Sequence, residues 1–326
     1  MPTSSIPDRQ RNAQPFHEGE RAVQVRVGVR ERMAAVGPHV FRDFMPEQHR
    51  EFFRQLPFVI VGSVDARGQP WASVLANPPG FIDSPDPRRL TVRAQPLAAD
   101  PLDETLAEGA PIALLGIEPH TRRRNRLNGI VEHITDEGFS VDARQSFGNC
   151  PKYIQARKPE YVSDAATARA VHRSERFDLA AQQMIRRADT LFIATAYPAA
   201  LGDDAPAHGV DVSHRGGKPG FVRVDDDRTF TIPDFLGNFF FNTLGNIAIN
   251  PKAGLLFIDF ETGDLLYLAC EAEIIWDRAE IDAFKGAERL LRFHVRELKR
   301  VEASLPLRWS KARLSPFLER MGEWTA

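Results

Sequence analysis

Apolar positions along this chain gather in short runs separated by turn residues, not in long stripes. Phe58–Val64 is one such run, closed by the turn signal Asp65-Ala66-Arg67-Gly68, and Trp71–Leu75 reads as its return strand. Gly80-Phe81-Ile82 and Leu90-Thr91-Val92 start a third and a fourth strand. A short helix is predicted at roughly Leu102–Glu108. Ile112–Glu118 follows as a near-continuous apolar strand buried on both faces, and Ile130–Ile134 closes the unit. The same succession then returns: Leu191-Phe192-Ile193, a strand from Asp211, Gly220-Phe221-Val222, Phe230-Thr231-Ile232, a helix at Phe239–Ile247, and strands Gly254–Phe260 and Leu265–Ile275.

The recurrence is visible residue by residue. Shifted by 140 positions, Trp71–Val92 lies on Asp211–Ile232 without a gap, and seven of the 22 positions are identical. Average composition gives roughly one or two such matches. With a shift of 141, Leu114-Leu115 falls on Leu255-Leu256 and Ile117-Glu118 on Ile258-Asp259. A period this long is a duplicated domain, not a solenoid unit. The second copy stretches its first hairpin through a Pro-, Gly- and Asp-rich insertion, Tyr197–Gly209.

Outside the copies, Glu47–Leu56 reads as an amphipathic helix and Ala165–Arg187 as a helical linker. Leu290, Leu291, Phe293, Val295, Leu298 and Val301, interleaved with charge, predict a helix over Ile281–Ser304 packed on a barrel. The expected fold is mainly β with helices (α+β): two tandem Greek-key barrel repeats with a helical linker and a C-terminal helix. The expected divisions are an extension over 1–50, a first repeat over 51–160, a linker over 161–188, a second repeat over 189–280, and a C-terminal helix and tail over 281–326.

Composition narrows the partners. Of 326 residues, 43% are hydrophobic and 26% charged, and 42 basic against 44 acidic residues leave a formal charge of −2. No field of that size recruits nucleic acid or an anionic membrane by itself. The N-terminus shows no apolar secretory core, and Leu255-Leu256-Phe257-Ile258 is far shorter than a membrane span needs. Two separated cysteines, Cys150 and Cys270, do not make a disulfide framework. A cytoplasmic protein is expected.

The copies differ where chemistry could sit. Ser213-His214-Arg215-Gly216-Gly217 in the second copy stands over Ser73-Val74-Leu75-Ala76-Asn77 in the first. A guanidinium offers paired donors to a phosphate, and glycine lets backbone amides come close. Around the short helix, Asn238, Asn242, Thr243 and Asn246 replace Leu97, Pro101, Leu102 and Thr105. Amide and hydroxyl donors at a helix start can cradle an anion; capping of helices and turns is the plainer use of the same asparagines. The basic run Arg122-Arg123-Arg124-Asn125-Arg126 reads either as a solvated turn or as a clamp reaching the ligand of a neighbouring subunit.

These residues carry a resemblance. Thr231-Ile232-Pro233-Asp234-Phe235, a helix ending in Asn250-Pro251 and the strand Gly254-Leu255-Leu256-Phe257 resemble the pyridoxamine 5′-phosphate oxidase family, whose members bind FMN on a split β-barrel. Phe16-His17-Glu18-Gly19-Glu20, Ser146–Tyr153, Ser213–Gly217 and Pro306-Leu307-Arg308-Trp309 are similar to a tandem-repeat branch related to that family. The resemblance implies FMN at Ser213, His214, Arg215, Gly216, Pro233, Asp234, Asn238, Asn242 and Thr243, with Arg308 and Trp309 reaching the flavin or substrate. The chain departs from the family at Asn242 and Thr243, which stand where two cations are expected. Phosphate affinity would then lean on Arg215. No residue matches the oxidase's contacts to substrate phosphate.

The implied activity is that of an FMN-dependent oxidoreductase, passing hydride or electrons from NADH, NADPH or a similar donor to a small-molecule acceptor, in a homodimer. Two other readings remain open: a flavin-binding or storage module without turnover, and a barrel holding haem, with His214 or His294 as axial ligand, or a deazaflavin.

Overall fold

The computed structural model describes residues 14–162, 170–203 and 205–325. Three helices lead in, α1 (Glu18–Arg26), α2 (Arg30–Val40) and α3 (Glu47–Arg54). The first repeat holds β1 (Phe58–Val64), β2 (Pro70–Ala76), β3 (Ile82–Asp86), β4 (Arg89–Val92), α4 (Leu102–Thr105), β5 (Pro111–Glu118), β6 (Arg123–Thr135) and β7 (Gly138–Gly148). The short strands β8 (Pro159–Tyr161) and β9 (Val171–Ser174) and helix α5 (Leu179–Arg187) lead to the second repeat. That repeat holds β10 (Thr190–Ala196), β11 (Val210–Gly216), β12 (Arg223–Val224), β13 (Thr229–Asp234), α6 (Asn242–Ile249), β14 (Lys252–Ile258), β15 (Leu265–Ile275), α7 (Arg278–Ile281) and β16 (Arg289–Val301). β17 (Leu307–Trp309) pairs with β8 near the end.

The two sheets have one topology. Their strand orders, β2-β1-β5-β6-β7-β4-β3 and β11-β10-β14-β15-β16-β13-β12, match position for position, as a duplicated split barrel requires. No helix among the described residues is long and apolar enough to cross a membrane.

Alternation along the apolar strands has a double purpose. Val59 and Val61 of β1 enter the first barrel's own core, while Phe58 and Ile60 face the second barrel. Leu255 and Phe257 of β14 likewise turn inward, and Leu256 and Ile258 join the shared layer between barrels. Strands with two buried faces read as unbroken apolar runs.

Three expectations change. The first repeat closes not on Ile130–Ile134 but on β7, which pairs with both β6 and β4. The segment expected as a C-terminal helix is mostly strand: β16 pairs with β15, β13 and β9, and so completes the second barrel, which runs past residue 280 to Val301. A bulge between Ala269 and Cys270 leaves Arg296 unmatched, so the inward positions Leu291, Phe293 and Val295 shift phase to Leu298. One extra residue thus gives a strand the 3–4-residue apolar spacing of a helix. The linker is helical only in α5; Val171–Ser174 is strand, and 163–169 lie outside the described residues.

Candidate functional site

A cleft opens where the repeats meet, enclosing about 830 Å³ with its solvent-open mouth included. Ser213, His214, Arg215 and Gly216 of β11 line it, with Pro233 and Asp234 at the end of β13, Asn238 of the following loop, and Asn242 and Thr243 at the start of α6. The first repeat contributes Arg124 and Arg126 from β6, and the segment after β7 adds Asn149, Cys150, Lys152 and Tyr153. The basic run, read from sequence either as a solvated turn or as a clamp on a neighbouring subunit's ligand, sends Arg124 and Arg126 to the second barrel of its own chain.

Strand alternation selects which arginines enter. Arg124 and Arg126 share a face of β6. Arg123 lies over Phe52, and Arg122 turns to the carbonyl of Ile154 at 3.0 Å. Arg126 is buried; its guanidinium donates to Asp211 at 2.8 Å, to Asn242 Oδ1 at 3.3 Å, and to Ser213 Oγ. Arg124 donates to the carbonyls of Cys150 at 2.7 Å and His214 at 3.5 Å. Burial, and then the nearby charges of Arg126 and Arg215, bring the pKa of Arg124 down to about 10. Three guanidiniums close enough to repel one another leave the cleft short of negative charge.

Counting the lining makes this concrete. Arg124, Arg126, Lys152 and Arg215 face one carboxylate, Asp234, a formal surplus of three positive charges. Asp234 is already shared by Arg215 and by Arg289, the latter at 3.0 Å. Arg126 Nε, Arg215 Nε and Asn149 Nδ2 are buried donors without a protein partner. Buried donors of this kind call for an acceptor.

The loop into α6 is strained. Phe239 and Phe241 adopt left-handed backbones with φ of 65° and 63°, and Tyr153 across the cleft does so with φ of 63°. Bulky residues seldom tolerate that region, and such strain gathers at functional sites. Tyr153 stacks obliquely on Phe235 at 4.9 Å and donates its hydroxyl to the carbonyl of Leu236 at 3.2 Å. Burial pushes its pKa up to about 12, so the phenol stays protonated.

Three proposed ligand contacts sit differently. The ring of His214 packs edge-on against Phe192 at 5.7 Å, on the opposite face of β11 from Ser213 and Arg215. Burial, reinforced by Arg124, Arg157 and Arg215, holds the imidazole neutral. Trp309 wedges between Phe58 and Phe260, at 5.2 and 5.0 Å, and Arg308 is exposed beside it; neither lines the cleft. Their strand β17 is held by β8, which keeps that segment along the barrel interface. His294 lies on β16 beside Thr229, also outside.

The pseudo-equivalent position in the other half is closed. Leu115 pairs with Arg126 across β5 and β6, and its counterpart Leu256 pairs with Tyr267 across β14 and β15. Tyr267 thus stands where Arg126 stands, and Leu265 where Arg124 does. The Tyr267 hydroxyl donates to Asp100 at 2.8 Å, and Ser73, the counterpart of Ser213, donates to the same carboxylate. Burial raises the Asp100 pKa to about 6 against these hydrogen bonds. A carboxyl whose folded pKa exceeds its unfolded one stabilises most at low pH and loses that contribution as pH rises through the folded value. Between pH 4 and 7 the loss is about 2–3 kcal/mol. Asp100→Asn should therefore gain on the wild type by that amount over this interval in denaturant unfolding; a constant difference between the two would refute the assignment.

A pair of fused split barrels with one cationic cleft between them defines the class of this protein. The family described as Pyridoxamine 5′-phosphate oxidase matches residues 45–174, the first barrel with its flanking elements. No curated protein matches. Among solved structures, HupZ of Group A Streptococcus is 20% identical, with 36% of this chain and 89% of that one covered and a TM-score of 0.29. A FAD-binding protein of Mesorhizobium loti is 10% identical, covering 40% of this chain and 97% of its own, with a TM-score of 0.28. A candidate pyridoxamine 5′-phosphate oxidase of Lactobacillus delbrueckii is 14% identical, covering 38% and 94%, with a TM-score of 0.30.

Proposed function

We propose that this protein binds one FMN per chain in the inter-repeat cleft and acts as an oxidoreductase on a small molecule, with NADH, NADPH or a similar reductant as donor. The three guanidiniums of Arg124, Arg126 and Arg215, set against the single lining carboxylate of Asp234, carry this reading. A phosphate monoester brings about −1.5 to −2 charge and several acceptor oxygens, which suit the unpartnered donors of Arg126, Arg215 and Asn149. Arg124 and Arg126, from the first repeat, supply the cations missing at Asn242 and Thr243. The amides at the start of α6, where no side chain caps the helix, add neutral donors.

Bound flavin would supply the hydride chemistry. The protein's residues bind and orient. Arg126 stays fixed because Asp211 and Ser213 hold its guanidinium from behind. Phe235, Phe239 and Phe241 form an aromatic wall suited to a planar ring, and Tyr153 beside them keeps its proton across the neutral range.

The test is a visible spectrum of the purified protein, with mass identification of what denaturation releases, followed by anaerobic NADH and NADPH. A flavin spectrum, one FMN per chain and bleaching by either nicotinamide are expected. Two flavins per chain would contradict closure by Tyr267 and Asp100. A Soret band, or no flavin uptake, would overturn the reading, and bound flavin that stays oxidised would make the protein a flavin carrier without turnover.

A further inference from the structure

The cleft holds more positive charge than FMN can neutralise. A phosphate monoester of about −2 leaves about one of the three surplus charges over, and the paired groups behind the lining do not change that count, because Arg289 on Asp234 offsets Asp211 on Arg126. The remaining cation can be assigned by its partners. Arg126 and Arg215 each have a carboxylate, and Arg124 has two backbone carbonyls. Lys152 has neither: its ammonium rests only over the ring of Phe317, 5.4 Å from the centroid.

The surroundings of Lys152 are apolar and accessible. Phe317 is 45% exposed and Leu236 is 40% exposed. Tyr153 bridges them, packing edge-on to Phe317 at 6.3 Å and donating its hydroxyl to the carbonyl of Leu236. Large apolar side chains left open beside residues that line a polar cleft, as Phe317 and Leu236 stand beside Lys152 and Tyr153, mark a binding surface. An ammonium beside such a surface, with no carboxylate of its own, selects a ligand with one negative charge on a flat apolar body.

Resting on the FMN reading above, we propose that Lys152, Tyr153 and Phe317 form the substrate subsite, and that the substrate class is aromatic carboxylates. Lys152 pairs with the carboxylate, and Tyr153 and Phe317 cover the ring. The deeper arginines are left to the flavin phosphate.

The probe is 2-naphthoate, with neutral 2-naphthamide as its control. FMN uptake is measured first, on wild type and on Lys152→Met, and should be equal because Lys152 is assigned to the other ligand. Naphthoate should then perturb the bound flavin spectrum and bind about tenfold or more tightly than naphthamide. In Lys152→Met the two probes should bind alike. Equal binding of both probes to wild type, or naphthoate affinity unchanged by Lys152→Met, would overturn the subsite. Failure of FMN uptake in wild type would overturn the flavin reading instead. The subsite is then judged in flavin-free protein by quenching of naphthoate fluorescence: it stands if Lys152→Met weakens binding and falls if only Arg126→Met does.

Discussion

Arg126→Met is expected to abolish FMN retention and to destabilise the fold by about 3–5 kcal/mol, the cost of leaving a buried charge without its partner. The stranded charge is Asp211, which also accepts from Asn128 at 2.8 Å and Asn246 at 3.4 Å, two neutral donors that cannot replace a guanidinium. The two consequences separate in a double variant. Arg126→Met with Asp211→Asn removes both charges, so most of the stability should return while FMN binding stays lost. Urea unfolding and FMN fluorescence titration read the two quantities independently. Recovery of FMN binding in the double variant would show that Arg126 serves the fold and not the ligand.

A comparable loss is expected from a residue that touches no ligand. Gly254 lies in β14 where the second barrel presses on the first: a Cβ there would stand 2.2 Å from the carbonyl oxygen of Pro70 and 2.6 Å from the Cα of Trp71. Both are backbone atoms of β2, so no side-chain rotation relieves the clash. Gly254→Val should cost about 3 kcal/mol and force the barrels apart. Because Arg124 and Arg126 come from one barrel and Thr243 and Arg215 from the other, FMN affinity should fall with stability. Gly62→Ala is the control: its Cβ would meet the Cβ of Val212 at 3.0 Å, a contact that a shift of a few tenths of an ångström relieves. Full FMN affinity in a destabilised Gly254→Val protein would mean that the cleft does not depend on barrel spacing.

Much of this architecture was legible along the chain. The 140-residue shift placed β2 on β11 and β4 on β13, because turns and alternating strands are local features that survive duplication. Nine of the eleven residues singled out for the ligand line one cleft, although the ring of His214 turns to the other face of β11, since Ser213–Gly216, Pro233–Asn238 and Asn242-Thr243 all lie at strand and helix ends that the repeat topology brings together. Arg308 and Trp309 do not, as their position depends on how the last segment crosses the barrel interface. β16 was mistaken for a helix because its bulge breaks the two-residue period. Arg124 and Arg126 stand out in sequence only as part of a basic run: alternation on β6 separates them from Arg123, and the left-handed backbone at Arg122, φ 58°, turns that residue away before the strand begins.

Local pattern by itself determined the duplication, the order of strands and turns in each repeat as far as β6 and β15, and the cluster of asparagines that only the second repeat carries around its short helix. The tertiary structure decided which cations face those donors and why there is one cleft and not two. Arg126 meets Asp211 and Asn242 across 85 and 116 residues of chain, and Tyr267 meets Asp100 across 167. Contacts at such separations follow from the packing of one barrel on the other, which no periodicity within either barrel encodes.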